Sequence, residues 1–507
     1  MRNPPTERPR ALPSGLAATL VFVASGAVLV LEVVALRLVG PYVGVTLQTS
    51  SAVIGVALAA IAYGAWLGGW LADRANPRGL LAPTLVLAGI TTALTLPLVR
   101  YAGELLRGSA AGGILLLAGL AAFVPAAMLA SITPLVVKLQ LGDLHHTGRV
   151  VGRLSSIGTL GGITATLVTG FVLVAALPTS MIMLSLAALL GAFGLALGVY
   201  LHRVDRDAPP GRPATRALLA VVGLAAAGLT AAAPNPCDAE TAYHCAAVLV
   251  DDERPTGRLL MLNSARHSYV DLADPRHLEF EYTQWIGALA DVMARDGVPL
   301  DALHIGGGGF TLPRYLAATR PGTRSVVLEL DGELVALDRA RLGLRIGPDL
   351  RVVVGDARVQ LRRQPAAGYD LVIGDAFGHL VVPWHLATRE MAEQIRAVLR
   401  PAGVYAQNVI DYPPARFIRA EVATVAAVFP QVALVAPPDA LDGRVGSNYV
   451  IVASSAPLPL DALRLRVAQS AGGPVTVITG AALESFVGDA RVLTDDYAPV
   501  DQLLVRP

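Results

Sequence analysis

Between residues 14 and 233 the chain alternates long apolar runs with short breaks that are basic, polar or rich in Gly and Pro. The runs lie at about 14–38, 47–72, 80–99, 111–139, 153–176, 179–201 and 217–233, the last being the shortest. Roughly 20 apolar residues in helical form cross the hydrocarbon of a bilayer. The pattern therefore predicts an all-α transmembrane bundle of about seven helices over residues 1–233, with 202–216 as a connecting loop. Beyond it the runs shorten. Three β-like stretches at 246–250, 258–262 and 268–272, separated by turn residues, predict a small antiparallel β unit over 234–275. An amphipathic helix comes next, at about 279–295. Strands near 301–306, 325–330, 351–354, 369–374, 403–409, 431–436 and 447–454 then alternate with helices. Such alternation predicts a doubly wound α/β domain over 276–507, mostly parallel, with an antiparallel late strand pair.

Composition agrees with the first half of that picture. Hydrophobic residues make up 54% of the 507 and charged residues 16%, too apolar for a soluble protein of this size. A net charge of +1 gives no pull towards nucleic acid, so no nucleic-acid partner is expected. The breaks carry a lopsided charge. With the N-terminus inside, Arg2, Arg8, Arg10, Arg74, Arg78, Lys138, Arg149, Arg153, Arg203, Arg206, Arg212 and Arg216 fall in inner segments. Only Arg37, Arg100 and Arg107 fall in outer ones. The positive-inside rule then places the N-terminus in the cytoplasm, and seven spans place the C-terminal half outside it. The first run is too long for a signal-peptide core and is read as a retained span.

Two cysteines, Cys237 and Cys245, stand just past the last run. A lone close pair at the start of an extracytoplasmic region reads as a disulfide, the alternative being two buried thiols. With only His244 beside them, no metal site is expected. Glu32 is a carboxylate within the first span, where charge is costly and marks a functional candidate. The plainer reading is a pair with Lys138 or Arg37, or a protonated side chain. Gly64 with Gly68 and Gly158 with Gly162 have the small-xxx-small spacing of packed membrane helices.

In the second half the strand at 302–305 runs straight into Gly306, Gly307, Gly308 and Gly309, then a helix with Pro313 in its first turn. A glycine bend at a helix N-terminus lets backbone approach a ligand closely. The next strand ends at Glu329, placed to take ribose hydroxyls. The following two end in Gly355-Asp356-Ala357 and Gly374-Asp375-Ala376. Acids at three successive strand ends converge where open α/β sheets bind ligands, although each alone also suits a helix N-cap.

The run HIGGGGF, VVLELD, VVVGDA and YDLVIGDAFGHLVVPWHL resembles the spermidine synthase (polyamine aminopropyltransferase) family, and more narrowly its bacterial members fused to a membrane region. RHLEFEYTQWI (276–286) is similar to that family's EFxYHE stretch, and LTDDYAPVDQLL (493–504) to the ending of the fused members. The resemblance implies a Rossmann-like, S-adenosylmethionine-dependent methyltransferase fold. The co-substrate would be S-adenosylmethionine or its decarboxylated form, with no metal. It implies an amine or polyamine acceptor, the lipid bilayer and a second copy in a homodimer as partners, and a bacterial inner-membrane location. Carried over by position, Gly306, Gly307 and Gly308 would line the donor, Glu329 its ribose, and Asp356 with Ala357 its adenine. Asp375 would be the catalytic carboxylate, with Tyr282 and Gln284 on the Tyr and Glu of EFxYHE.

Three acidic positions of the family are changed, to Gly309, Gly378 and Gln284. An amine acceptor has a pKa near 10 and arrives protonated, so carboxylates must hold it and take its proton. His379, Glu281, Asp495 or Asp496 could compensate. His379 and His385 also read as solvated loop side chains, and Trp384 as packing. The leading expectation is a membrane-bound aminopropyltransferase-like transferase with an altered acceptor. The alternatives are a methyltransferase on the same fold, or a transporter or sensor that binds a nucleoside or polyamine without turnover.

Overall fold

The structure is a computed structural model and describes residues 11–109, 111–141, 147–204, 213–295, 297–378, 381–469 and 473–504. Arg2, Arg8, Arg10, Arg206, Arg212 and His379 lie outside the described residues. The chain divides into two compact units, Met1–Cys245 and Ala246–Pro507.

Among the described residues, six helices of the first unit are long and apolar enough to cross a membrane: α1 (Ser14–Val43), α2 (Leu47–Arg74), α3 (Pro77–Leu105), α4 (Ala111–Gln140), α5 (Thr147–Ala176) and α6 (Thr179–Val204). A seventh, α7 (Pro213–Ala232), has a shorter apolar stretch, Val221–Ala232. It lies along α3. Thr230 Oγ1 donates to the Ala93 carbonyl at 3.2 Å, and Arg100 Nη1 to the Ala233 carbonyl at 3.4 Å. The C-terminal ends of α3 and α7 thus share one end of the bundle.

Close packing explains the glycine pairs. Any side chain on Gly64 would overlap the Ala127 backbone, and one on Gly68 would meet the Ser131 carbonyl at 2.5 Å. Helix interfaces without a hydrophobic drive depend on such approaches. Lys138 pairs with Asp73 at 2.7 Å, and Arg37 donates to Thr179 and to the carbonyls of Thr241 and Ala242. Neither cation pairs with Glu32, against the paired form of the plainer sequence reading. Glu32 is half-buried and makes no ion pair or hydrogen bond among the described residues.

The first unit continues past residue 233 because its arginines hold the next segment. Arg37 grips 241–242, Arg100 lies 3.8 Å from Glu240, and Glu240 accepts from the Ser180 amide at 3.0 Å. Within this segment Cys237 and Cys245 form a disulfide, with Cα atoms 5.2 Å apart.

The second unit opens with antiparallel strands β1 (Cys245–Val250, whose first residue ends the first unit), β2 (Gly257–Leu262) and β3 (Ala265–Asp271). Helix α8 (Glu281–Met293) comes next. The main sheet has eight strands: β4 (Asp301–Ile305), β5 (Arg324–Glu329), β6 (Leu350–Val354), β7 (Tyr369–Gly374), β8 (Leu399–Asp411), β9 (Gln431–Ala436), β10 (Ser447–Ser454) and β11 (Thr476–Thr479). Their order is β11-β9-β10-β8-β7-β4-β5-β6. Strands β4 to β8 pair in parallel, and β9, β10 and β11 extend the sheet antiparallel.

Alternation along each strand feeds two apolar layers. Leu371 and Ile373 of β7 face one layer with Trp285 and Leu289, while Val372 faces the other with Phe417 and Phe429. Each such buried side chain stabilises the fold by about 1.5–3 kcal/mol. The result is a mostly parallel α/β sheet between two apolar layers, preceded in the chain by an apolar helical bundle.

Candidate active site

The strand order reverses between β4 and β7, and the crevice at their carboxyl ends is where open α/β sheets take ligands. Strand β4 delivers the glycine bend to it. Gly306 has φ +94, and a side chain there would overlap the Asp375 carbonyl. Gly308 has φ +48 and sits under Ser268. The bend ends at Phe310, buried in a left-handed conformation, before helix α9 (Thr311–Thr319).

Glu329, at the end of β5, is buried and braces this bend. Its Oε2 accepts from the Gly307 amide at 2.7 Å and its Oε1 from the Asp331 amide at 2.9 Å. The expected ribose ligand is therefore also the tether of the glycine loop. Behind it, burial first and the Glu329 charge second push the Asp338 carboxyl up to about 8. Asp356 caps helix α10 (Ala357–Leu361), accepting from the Val359 amide at 3.0 Å, and its other oxygen meets His385 Nε2 at 3.0 Å. His385 is thus a partner of the expected adenine carboxylate, not a free loop side chain. Trp384 is more than half exposed and edge-on to His385, so it does not pack as the sequence suggested. Ala357 is buried beside Asp356.

Beside this crevice lies a second cavity of about 360 Å³. Asp375, Tyr282, Asn408 and Asn448 form a hydrogen-bonded group on it. The Asp375 carboxylate accepts from Tyr282 Oη at 3.0 Å and from Asn408 Nδ2 at 2.9 Å. Asn408 is itself oriented by Asn448 Nδ2 at 2.9 Å. Burial pushes the Asp375 carboxyl up to about 6, against the lowering effect of the Asn408 and Tyr282 hydrogen bonds. Phe280, Phe377 and Ile410 supply apolar wall, and Arg266, His267, Glu279 and Glu281 also line the cavity.

The structure brings Tyr282 and Asp375 together but not Gln284. Its Nε2 turns back to the Leu278 carbonyl at 2.9 Å, and it does not line the cavity. The other two altered positions also have structural neighbours. A side chain on Gly309 would meet Ser268 Cβ at 3.0 Å and Val270 Cγ2 at 3.1 Å. Gly378 donates its amide to the Val381 carbonyl at 2.8 Å. Asp495 is no substitute for them. Arg358 holds it through two 2.7 Å bonds and Thr388 through one of 2.8 Å, and with Asp496 it forms the turn between Thr494 and Tyr497. Glu281 alone of the described alternatives lines the cavity. Asn408, Asn448 and Arg266 were not foreseen. The two asparagines interrupt apolar strands, and that was their signal.

No family model matches the chain. Among curated proteins it is similar to the polyamine aminopropyltransferase of Vibrio vulnificus, 26% identical over 216 residues, 40% of this chain and 70% of that protein. It is also similar to polyamine aminopropyltransferase 2 of Pseudomonas aeruginosa, 31% identical over 172 residues, 32% of this chain and 47% of that protein. Among solved structures, a probable spermidine synthase from Corynebacterium glutamicum aligns with 52% of this chain and 96% of its own, at 28% identity and a TM-score of 0.48. The motifs that resemble the spermidine synthase family all lie between residues 276 and 504, outside the apolar bundle.

Proposed function

We propose that the second half is a transferase that moves an aminopropyl group from decarboxylated S-adenosylmethionine to a small amine. The donor lies against Gly306, Gly307, Gly308, Glu329, Asp356 and Ala357. The amine occupies the neighbouring cavity. Its lone pair forms a bond to the carbon next to the sulfonium as the carbon–sulfur bond breaks. Both electrons of that bond go to sulfur, leaving neutral methylthioadenosine, and the amine proton goes to Asp375. The observation that carries this reading is the setting of Asp375: half-buried at the strand-order switch, held by Tyr282 and Asn408, and facing a cavity beside the glycine bend. Its raised proton affinity brings it closer to an amine than an ordinary carboxylate, as a general base requires.

The apolar helices then hold the enzyme in a bilayer, with the N-terminus cytoplasmic and the second half outside. Three observations support that orientation: the basic bias of the inner segments, the alignment of α7 with α3, and the disulfide. A donor made in the cytoplasm would have to be delivered to that side.

The test uses the full chain in detergent. Calorimetric titration with S-adenosylmethionine, its decarboxylated form and methylthioadenosine should show binding of the last two. Mass spectrometry of putrescine incubated with each donor should show a gained aminopropyl group, whereas a gained methyl group would make it a methyltransferase. Absence of binding by all three nucleosides would refute the reading.

A further inference from the structure

The side chains lining the acceptor cavity have a charge pattern that a plain diamine does not match. A diamine presents two cationic ends and calls for anionic groups at both. Here the carboxylates of Asp375 and Glu281 share the cavity wall with the guanidinium of Arg266. Glu279 is already engaged by His277 at 3.1 Å. Arg266 lies over the Phe280 ring, 5.3 Å from its centroid, is exposed, and pairs with no carboxylate among the described residues. An uncommitted guanidinium repels a polyamine and is a fitting partner for a carboxylate, which it can bind through two parallel hydrogen bonds.

We infer that the acceptor is a diamino carboxylic acid, an amine chain with an α-amino acid head. Arg266 binds the carboxylate, Glu281 the α-ammonium, and the distal amine reaches Asp375. A cavity of about 360 Å³ suits a molecule of this size, at the small end of ligand sites. The inference rests on the transfer reaction proposed above and names its acceptor. The bond changes are unaltered: the distal nitrogen gains the aminopropyl carbon, sulfur keeps the electron pair, and Asp375 receives the proton.

The experiment offers the full-length protein in detergent decarboxylated S-adenosylmethionine with ornithine, lysine or putrescine. The wild type should use ornithine or lysine with a kcat/KM at least about tenfold above putrescine. Arg266→Gln should reduce that ratio by about tenfold or more, as loss of a charge-assisted contact predicts, with Arg266→Lys recovering part of it. A ratio, unlike a rate, does not move when a variant merely folds less well. Putrescine equal to or better than the amino acids, with a ratio unaffected by Arg266→Gln, overturns the inference and leaves aminopropyl transfer standing. Should no amine be turned over, transfer itself is refuted. Binding of the same three compounds in the presence of methylthioadenosine then decides the inference by the same ratio.

Discussion

Asp375 is the residue on which the proposed turnover depends. A carboxyl raised by burial is protonated below its folded pKa and serves as a base only above it. With that value at about 6, kcat/KM should fall as pH drops through about 6, well above the range in which an exposed Asp titrates. Asp375→Asn keeps the shape and both hydrogen-bond neighbours but accepts no proton. It should lower kcat by roughly 10²–10⁴ while methylthioadenosine still binds, measured by steady-state assay and titration. An unchanged rate in that variant would remove Asp375 from the chemistry. At this scale the sequence was only partly legible. Strand-end acids were visible because a Gly-Asp-Ala step after a β run is local. Their partners were not, since Asn408 and Asn448 meet across two antiparallel strands and stand 40 residues apart in the chain. The fate of Gln284 was equally hidden, because a bond to nearby backbone leaves no mark in composition.

Among the elements, helix α11 (Arg416–Ala426) packs on β8 through a buried polar pair, Glu421 and Gln407. Gln407 Nε2 donates to Glu421 Oε1 at 2.7 Å, and the two remaining oxygens, Gln407 Oε1 and Glu421 Oε2, have no other partner among the described residues. A proton on Glu421 makes the pair reciprocal. Burial pushes its carboxyl up to about 8 from an ordinary 4.5. The folded state therefore binds this proton more tightly than the unfolded chain. The associated stability is complete below about 4.5 and is lost as pH rises towards 8. Glu421→Gln supplies a permanent donor in place of the acid proton. Its unfolding free energy, measured in urea, should gain on the wild type across that interval and level off above it, by on the order of a few kcal/mol. A constant difference at all pH values would contradict the assignment. Most strands were legible because short β-branched runs between Gly and Pro have few other solutions. Thr476–Thr479 was not, being only four residues and dependent on pairing with β9 for its existence.

For the whole molecule the strongest expectation concerns sidedness. On the proposed topology an odd number of crossings separates the two termini, and α7 would be the helix that makes the number odd. After mild reduction of intact cells, a membrane-impermeant thiol reagent should label Cys237 and Cys245. Labelling only after lysis would put the second unit in the cytoplasm and require α7 not to cross. The two-part plan was plain in the hydropathy, since a bilayer and a soluble core demand different run lengths. The place where one unit ends was not, because Arg37 and Arg100 reach it from helices some two hundred and one hundred and thirty residues away.

Ser268 and Val270 close over Gly309, so that a side chain there would meet them at 3.0 and 3.1 Å. A carboxylate introduced by Gly309→Asp would therefore have to displace the strand above it, and the glycine loop and the small β unit cannot be altered independently of each other.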